Sequence, residues 1–239
     1  MFNRFAAYFL TTKLWRKLAT HIVAHFTFRT FGYPKFPMDG YYQVMKILKD
    51  AASSQYHYAF AFVCTDRDAL AWKIQNFVTK AQWGHAGLVV FDLGKIYDVG
   101  GIRAIHMKGN GLNDWSLLDL LRECDDFALI RIPLFNGDCE LEVDRRLYEV
   151  RNADTCEYDF SMELDQVVLD WLNPRLPNEL PVGKKKFKMY CSEFVYALFR
   201  GVMPLGRGLT ARQFRDRAVF EPDDLYKQGE VVFQHVSRR

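Results

Sequence analysis

Cysteine is sparse in this chain of 239 residues. Five occur, Cys64, Cys124, Cys139, Cys156 and Cys191, and no two have C-x-x-C spacing. An odd, unpaired set argues against a disulfide framework and against a cysteine-based zinc site, and it points to a reducing compartment. Acidic residues are missing from positions 1–38, where Arg4, Lys13, Arg16, Lys17, Arg29 and Lys35 stand without a counter-charge. The rest of the chain carries 26 basic and 29 acidic side chains, so no broad basic face remains for nucleic acid. No apolar run is long enough to span a bilayer, and no repeat or low-complexity tract appears. Lys13 interrupts the one early apolar stretch and no small-residue cleavage site follows, which argues against a signal peptide. The expected location is the cytoplasm, or delivery by a phage particle. No metal or cofactor is expected.

What is present suits a globular protein: 49% hydrophobic and 26% charged residues, with a rich 15% aromatic share. In the basic segment, Phe2, Phe5, Phe9, Leu14, Leu18, Ile22 and Phe26 recur at helical spacing. Such a helix either lies on an anionic membrane surface or packs on the domain or a second subunit. After Pro37 the pattern alternates, predicting strands over 56–64, 85–91, 95–105 and 127–135. Helices are predicted over 65–80, with Thr65 or Asp66 as N-cap, over 113–124 and over 161–172, and along the stripe Cys139, Val143, Leu147, Val150. "PRLPNELPVGKKK" reads as a loop and "EVVFQHV" as a last strand. The chain divides into an extension, 1–38, and one α+β domain, 39–239.

The stretch "KKKFKMYCSEFVYALFRG" places Cys191 at a helix start, behind Lys184, Lys185, Lys186 and Lys188. Phe194, Val195 and Leu198 share its face, Arg200 suits the helix C-terminus, and Gly201 the position beyond it. A helix N-terminus presents unpaired N–H groups and positive partial charge, both of which stabilise a thiolate and an oxyanion. Without a base, a small apolar packing role serves such a cysteine as well.

The candidate base is His85 in "QWGHAGLVVFD", between Gly84 and Gly87. Nucleophilic catalysis by a thiol needs an imidazole in reach and a third polar group orienting the ring. Asp98, on the next predicted strand, shares a face with His85 if "DLGK" makes a four-residue hairpin loop. Of the other histidines, His106 alone is held in reserve as a candidate base. Trp83, Tyr190 and Ser192 lie beside the reactive residues as the candidate substrate-binding set. With the lysines they suit a substrate bearing an anionic group and apolar surface.

"WGHAGLVV" followed much later by "YCSEFVYALF" resembles the circularly permuted papain-like cysteine hydrolases of the YiiX/YaeF type, relatives of the NlpC-type cell-wall peptidases. The strand–helix–strand opening from Tyr58, "EYDFSM" and "FEPDDLY" extend the resemblance over roughly residues 56–227. It implies a small antiparallel sheet packed against helices, including the cysteine helix. It also implies Cys191 as nucleophile, His85 as general base and acid, and Asp98 as the orienting residue.

The implied activity is amide hydrolysis through an acyl-enzyme, in a cell-wall peptide or a related small amide. A lipid acyl hydrolase or acyltransferase is the alternative, because the lecithin–retinol acyltransferase group has a similar order of motifs. Residues 1–38 would then bring the site to a membrane surface. A third use of such a chain is an inactive papain-like scaffold that binds or supports.

Overall fold

The run Tyr58–Thr65 is aromatic and β-branched, with alanines at every second place, and it forms β1, the centre of the main sheet. The computed structural model describes residues 36–52, 58–69, 72–73, 76–77, 80–91, 101–134, 136–153, 155–158, 186–199 and 221–237. Asp98, the expected helix over 161–172, the basic segment 1–38 as far as residue 35, Lys184, Lys185, Arg200 and Gly201 lie outside the described residues.

The fold is mixed α+β. Six antiparallel strands are ordered β4-β3-β2-β1-β5-β8. Besides β1 these are β2 (His85–Phe91), β3 (Ile102–Lys108), β4 (Gly111–Ser116), β5 (Asp126–Pro133) and β8 (Glu230–His235). A separate parallel pair joins β6 (Thr155–Tyr158) to β7 (Lys186–Met189). Five helices are described: α1 (Met38–Ala52), α2 (Leu117–Glu123), α3 (Gly137–Arg151), α4 (Cys191–Phe199) and α5 (Pro222–Gln228).

Strand alternation sorts the side chains into two layers. Phe60, Phe62, Cys64, Val89, Ala104, Phe127 and Leu129 face α1 and α2, packing with Val44, Leu48, Leu117 and Leu121. Ala61, Val63, Ala86, Leu88, Ile105, Met107, Ala128 and Ile130 face α3, α4 and α5. Alanines at 61, 86 and 128 keep that second face low, and the stripe Phe194, Val195, Leu198 of α4 settles there.

Several boundaries differ from the sequence expectation for clear reasons. The strand expected over 95–105 runs Ile102–Lys108 among the described residues. The helix expected over 113–124 begins only at Leu117. Residues 111–116 pair with β3, and Ser116 caps the helix by accepting the N–H of Asp119 at 3.1 Å. Gly111 has φ +101°, which a residue with a Cβ resists, and that Cβ would also strike the Cys156 carbonyl. Thr65 is not a helix cap: its hydroxyl donates to the Gln82 carbonyl and accepts from the Gly84 N–H, each at 3.1 Å. Asp66 does the local work, accepting the N–H of Asp68 at 3.1 Å. Lys186, the last residue of the expected loop, opens β7, which also holds Lys188.

Candidate functional site: a buried histidine pair beside the cysteine helix

His85 is the first residue of β2 and pairs across the ladder with Cys64 of β1. The β2–β3 register, Leu88 with Ile105 and Val89 with Ala104, sets His106 opposite Gly87 and diagonal to His85 on one face. The two rings meet there. His85 Nε2 and His106 Nδ1 lie 2.7 Å apart, so one ring donates its N–H to the lone pair of the other. The rings stand nearly perpendicular, with centroids 4.9 Å apart and an angle of 74°.

Phe62 forms the floor of this pair. Its ring lies 6.3 Å from His85, 6.1 Å from His106 and stacks on Phe127 at 6.0 Å. The room for that ring comes from Gly87, where a Cβ would approach Phe62 Cζ to 2.5 Å. Trp115 closes the other side with a T-shaped contact to His106 at 5.0 Å, and it carries the Lys108 ammonium 4.3 Å above its ring.

This enclosure controls protonation. Burial, then the charge of Lys108, lowers His106 from its ordinary 6.5 to about 3. Burial, then His106 and Lys108, hold His85 well below its ordinary value. Both imidazoles are neutral at physiological pH. His106 is 1% exposed, whereas His85 keeps part of its surface open at the start of β2. Among the described residues the buried Nε2 of His106 meets no hydrogen-bond partner, and the ring's polar link is to His85.

Cys191 opens α4 as the spacing predicts and is 2% exposed. The Phe194 N–H closes the first turn on the Tyr190 carbonyl at 3.0 Å. Glu193 reaches back to the Tyr190 N–H at 3.4 Å, half of a capping box. Ser192 and Glu193 are buried as well, at 1% and 3%. The pattern Tyr-Cys-Ser-Glu carried that capping signal in the sequence.

The expected dyad of Cys191 and His85 depends on how α4 sits on the sheet. The helix α4 packs against β2 and β3, the strands that bear the imidazoles. Yet its stripe enters the layer of Ala86, Leu88, Ile105 and Met107, while both rings enter the layer of Phe62. The hydrogen bond of His85 goes to His106. The physical reason is the shape of the two faces. Alanines admit a helix on one, and Phe62 already fills the hollow over Gly87 on the other. The described polar partner of the His85 ring is His106, and Asp98 lies outside the described residues.

The candidate substrate-binding residues are all buried. Trp83 is fully buried and packs on Tyr226 at 5.2 Å, so it belongs to the core. Tyr190, at 5% exposure, and Ser192 are likewise covered. A hard-cation ligand set would be oxygen-rich. Asp66, Asp68 and Asp125 bring one carboxylate oxygen each within 4.8 Å of the others. Asp66 and Asp125 spend oxygens on the N–H groups of Asp68 and Arg67, which accounts for two of them as turn-builders. Among the described residues, no helix is long and apolar enough to cross a membrane.

No family model matches the chain, and no curated protein matches it.

Proposed function

We propose that the chain is a thiol hydrolase on a permuted papain-like scaffold, with Cys191 as nucleophile, His85 as base and His106 as the group that orients it. The observation that carries this reading is the hydrogen bond between His85 and His106. It engages Nε2 of His85 and leaves Nδ1 as the nitrogen that takes the thiol proton. The base-competent tautomer has His85 donating from Nε2 to His106 Nδ1. The sulfur attacks an amide carbonyl while N–H groups at the start of α4 hold the oxyanion. The C–N bond breaks as the amine leaves with the proton from His85. Water, deprotonated by His85, then hydrolyses the thioester to the acid and the free thiol. Cell-wall peptides or related small amides are the substrates that the motif order suggests. Lipid acyl groups are the alternative.

The dyad requires the thiol to meet His85 around the rim where β2 begins, not through the sheet. Apo active sites often tighten only with substrate bound. A second reading, a non-catalytic scaffold, is favoured by one specific observation: the imidazoles and the α4 stripe enter different layers.

Iodoacetamide labelling near pH 6, mapped by mass spectrometry, separates the two. Cys124 is held well above the ordinary thiol range, with the Cys64 thiol beside it and burial as causes, and burial raises Cys156 to about 11. Neither competes at that pH. The hydrolase reading expects Cys191 to be modified first in the folded protein, and His85→Ala to suppress this. Modification of all five cysteines together, only on unfolding, supports the scaffold.

A further inference from the structure

We infer that Asp223 is a positioning residue for His85. The three residues that deliver His85 to the sheet, Gln82, Trp83 and Gly84, are tied down at every backbone N–H. The Trp83 N–H donates to one carboxylate oxygen of Asp223 at 2.8 Å and the Gln82 N–H to the other at 3.2 Å. The Gly84 N–H donates to the Thr65 hydroxyl and to the Cys64 carbonyl, at 3.1 and 3.2 Å. Asp223 is 140 residues from Trp83 in sequence, so this is a tertiary clamp and not a local turn.

Three features point the clamp at His85 and away from a general packing role. Asp223 lies in the first turn of α5, whose own start is closed independently by the Glu221 N–H on the Asp224 carboxylate at 3.1 Å. One turn later on the same helix, Tyr226 packs on Trp83, so α5 grips both the backbone and the side chain before His85. The segment has nowhere to slide, because the next residue already pairs with Cys64 in the β1–β2 ladder. A carboxylate accepts two N–H groups at once. An amide in its place keeps one acceptor oxygen and turns an NH2 toward the second N–H. Asp223→Asn therefore releases one tether with almost no change in volume.

The role as a positioning residue rests on the proposed hydrolase reading, and the test keeps the two apart. The imidazole nitrogens of His85 and His106 are followed by long-range proton–nitrogen NMR in the full chain, beside Cys191 alkylation at pH 6. Asp223→Asn is expected to shift the His85 nitrogens and weaken the shared imidazole proton signal. It is also expected to slow alkylation about tenfold. Asn136→Ala, which removes the cap of α3 on another helix, serves as the structural control and leaves the imidazole signals in place. If Asp223→Asn folds poorly, Thr65→Val removes the opposite side of the clamp and gives the same imidazole shift. Unchanged imidazole signals in Asp223→Asn and Thr65→Val overturn the inference, as does an equal shift in Asn136→Ala. Alkylation that ignores His85 in the parent protein overturns the hydrolase reading instead, and the imidazole shifts alone then decide the clamp.

Discussion

Acidification is the sharpest perturbation for a protein that buries neutral imidazoles. His106 titrates at about 3 in the folded chain and near 6.5 when exposed. Between those values the unfolded chain holds a proton that the folded chain excludes, so stability is complete above about pH 6.5 and falls as pH drops. At pH 5 the cost from His106 alone is about 2 kcal/mol, and His85 adds to it in the same direction. That is a large part of a typical stability of roughly 5–15 kcal/mol, and it lowers the melting temperature by about 4–8 °C. Ordinary carboxylates titrate mainly below this window, so histidines dominate it. The assay is urea unfolding at pH 7 and pH 5 in the parent and in His106→Leu. The variant leaves His85 Nε2 without its partner and is less stable at pH 7, by about 1–3 kcal/mol. Its further loss on going to pH 5 is smaller than the parent's by about 2 kcal/mol. Equal losses in the two proteins would refute the assignment of a buried, neutral His106.

Two further substitutions test the supports of the pair and of the sheet. Gly87→Ala forces a Cβ to 2.5 Å from Phe62 Cζ and 2.7 Å from the Ile105 carbonyl. A loss of about 1–3 kcal/mol is expected in urea unfolding, and an unchanged midpoint would show that Phe62 does not fill that hollow. Asn136 caps α3 by accepting the Cys139 N–H at 3.0 Å. Asn136→Ala should cost about 1 kcal/mol by the same measurement, with no effect on Cys191 labelling.

The sequence disclosed elements that carry their own pattern and hid those whose partner lies far away. The strand β1, the stripe of α3 and the start of α4 were legible because periodicity and spacing are local signals. The helix α5 announced itself only through Pro222 at its first position followed by Asp223 and Asp224, a start signal easily taken for a loop. His85 was legible as a strand-opening imidazole between glycines. The importance of His106 was not, because it depends on the register of β2 on β3, which sets it opposite Gly87. Nor could composition reveal which face α4 would choose. That choice is collective, made by Ala61, Ala86 and Ala128 on three strands and by one phenylalanine over Gly87. Thr65 shows the same limit on a small scale: a good capping residue by type, it is spent on backbone groups seventeen and nineteen residues away.

The small parallel ladder of β6 and β7 has a consequence for how the molecule assembles. Cys156 pairs with Phe187 and Tyr158 with Met189, so the chain just ahead of Cys191 is secured by a segment thirty residues earlier. That segment in turn rests on β4 and β3. Parallel pairing cannot form by a simple hairpin turn. It waits for the intervening stretch to close on itself, a step of high contact order. On contact order alone, the cysteine helix is expected to take its seat after the meander β2–β3–β4. The expected order, the His85–His106 pair first and the seat of Cys191 later, is read by φ-value analysis of β3 and α4.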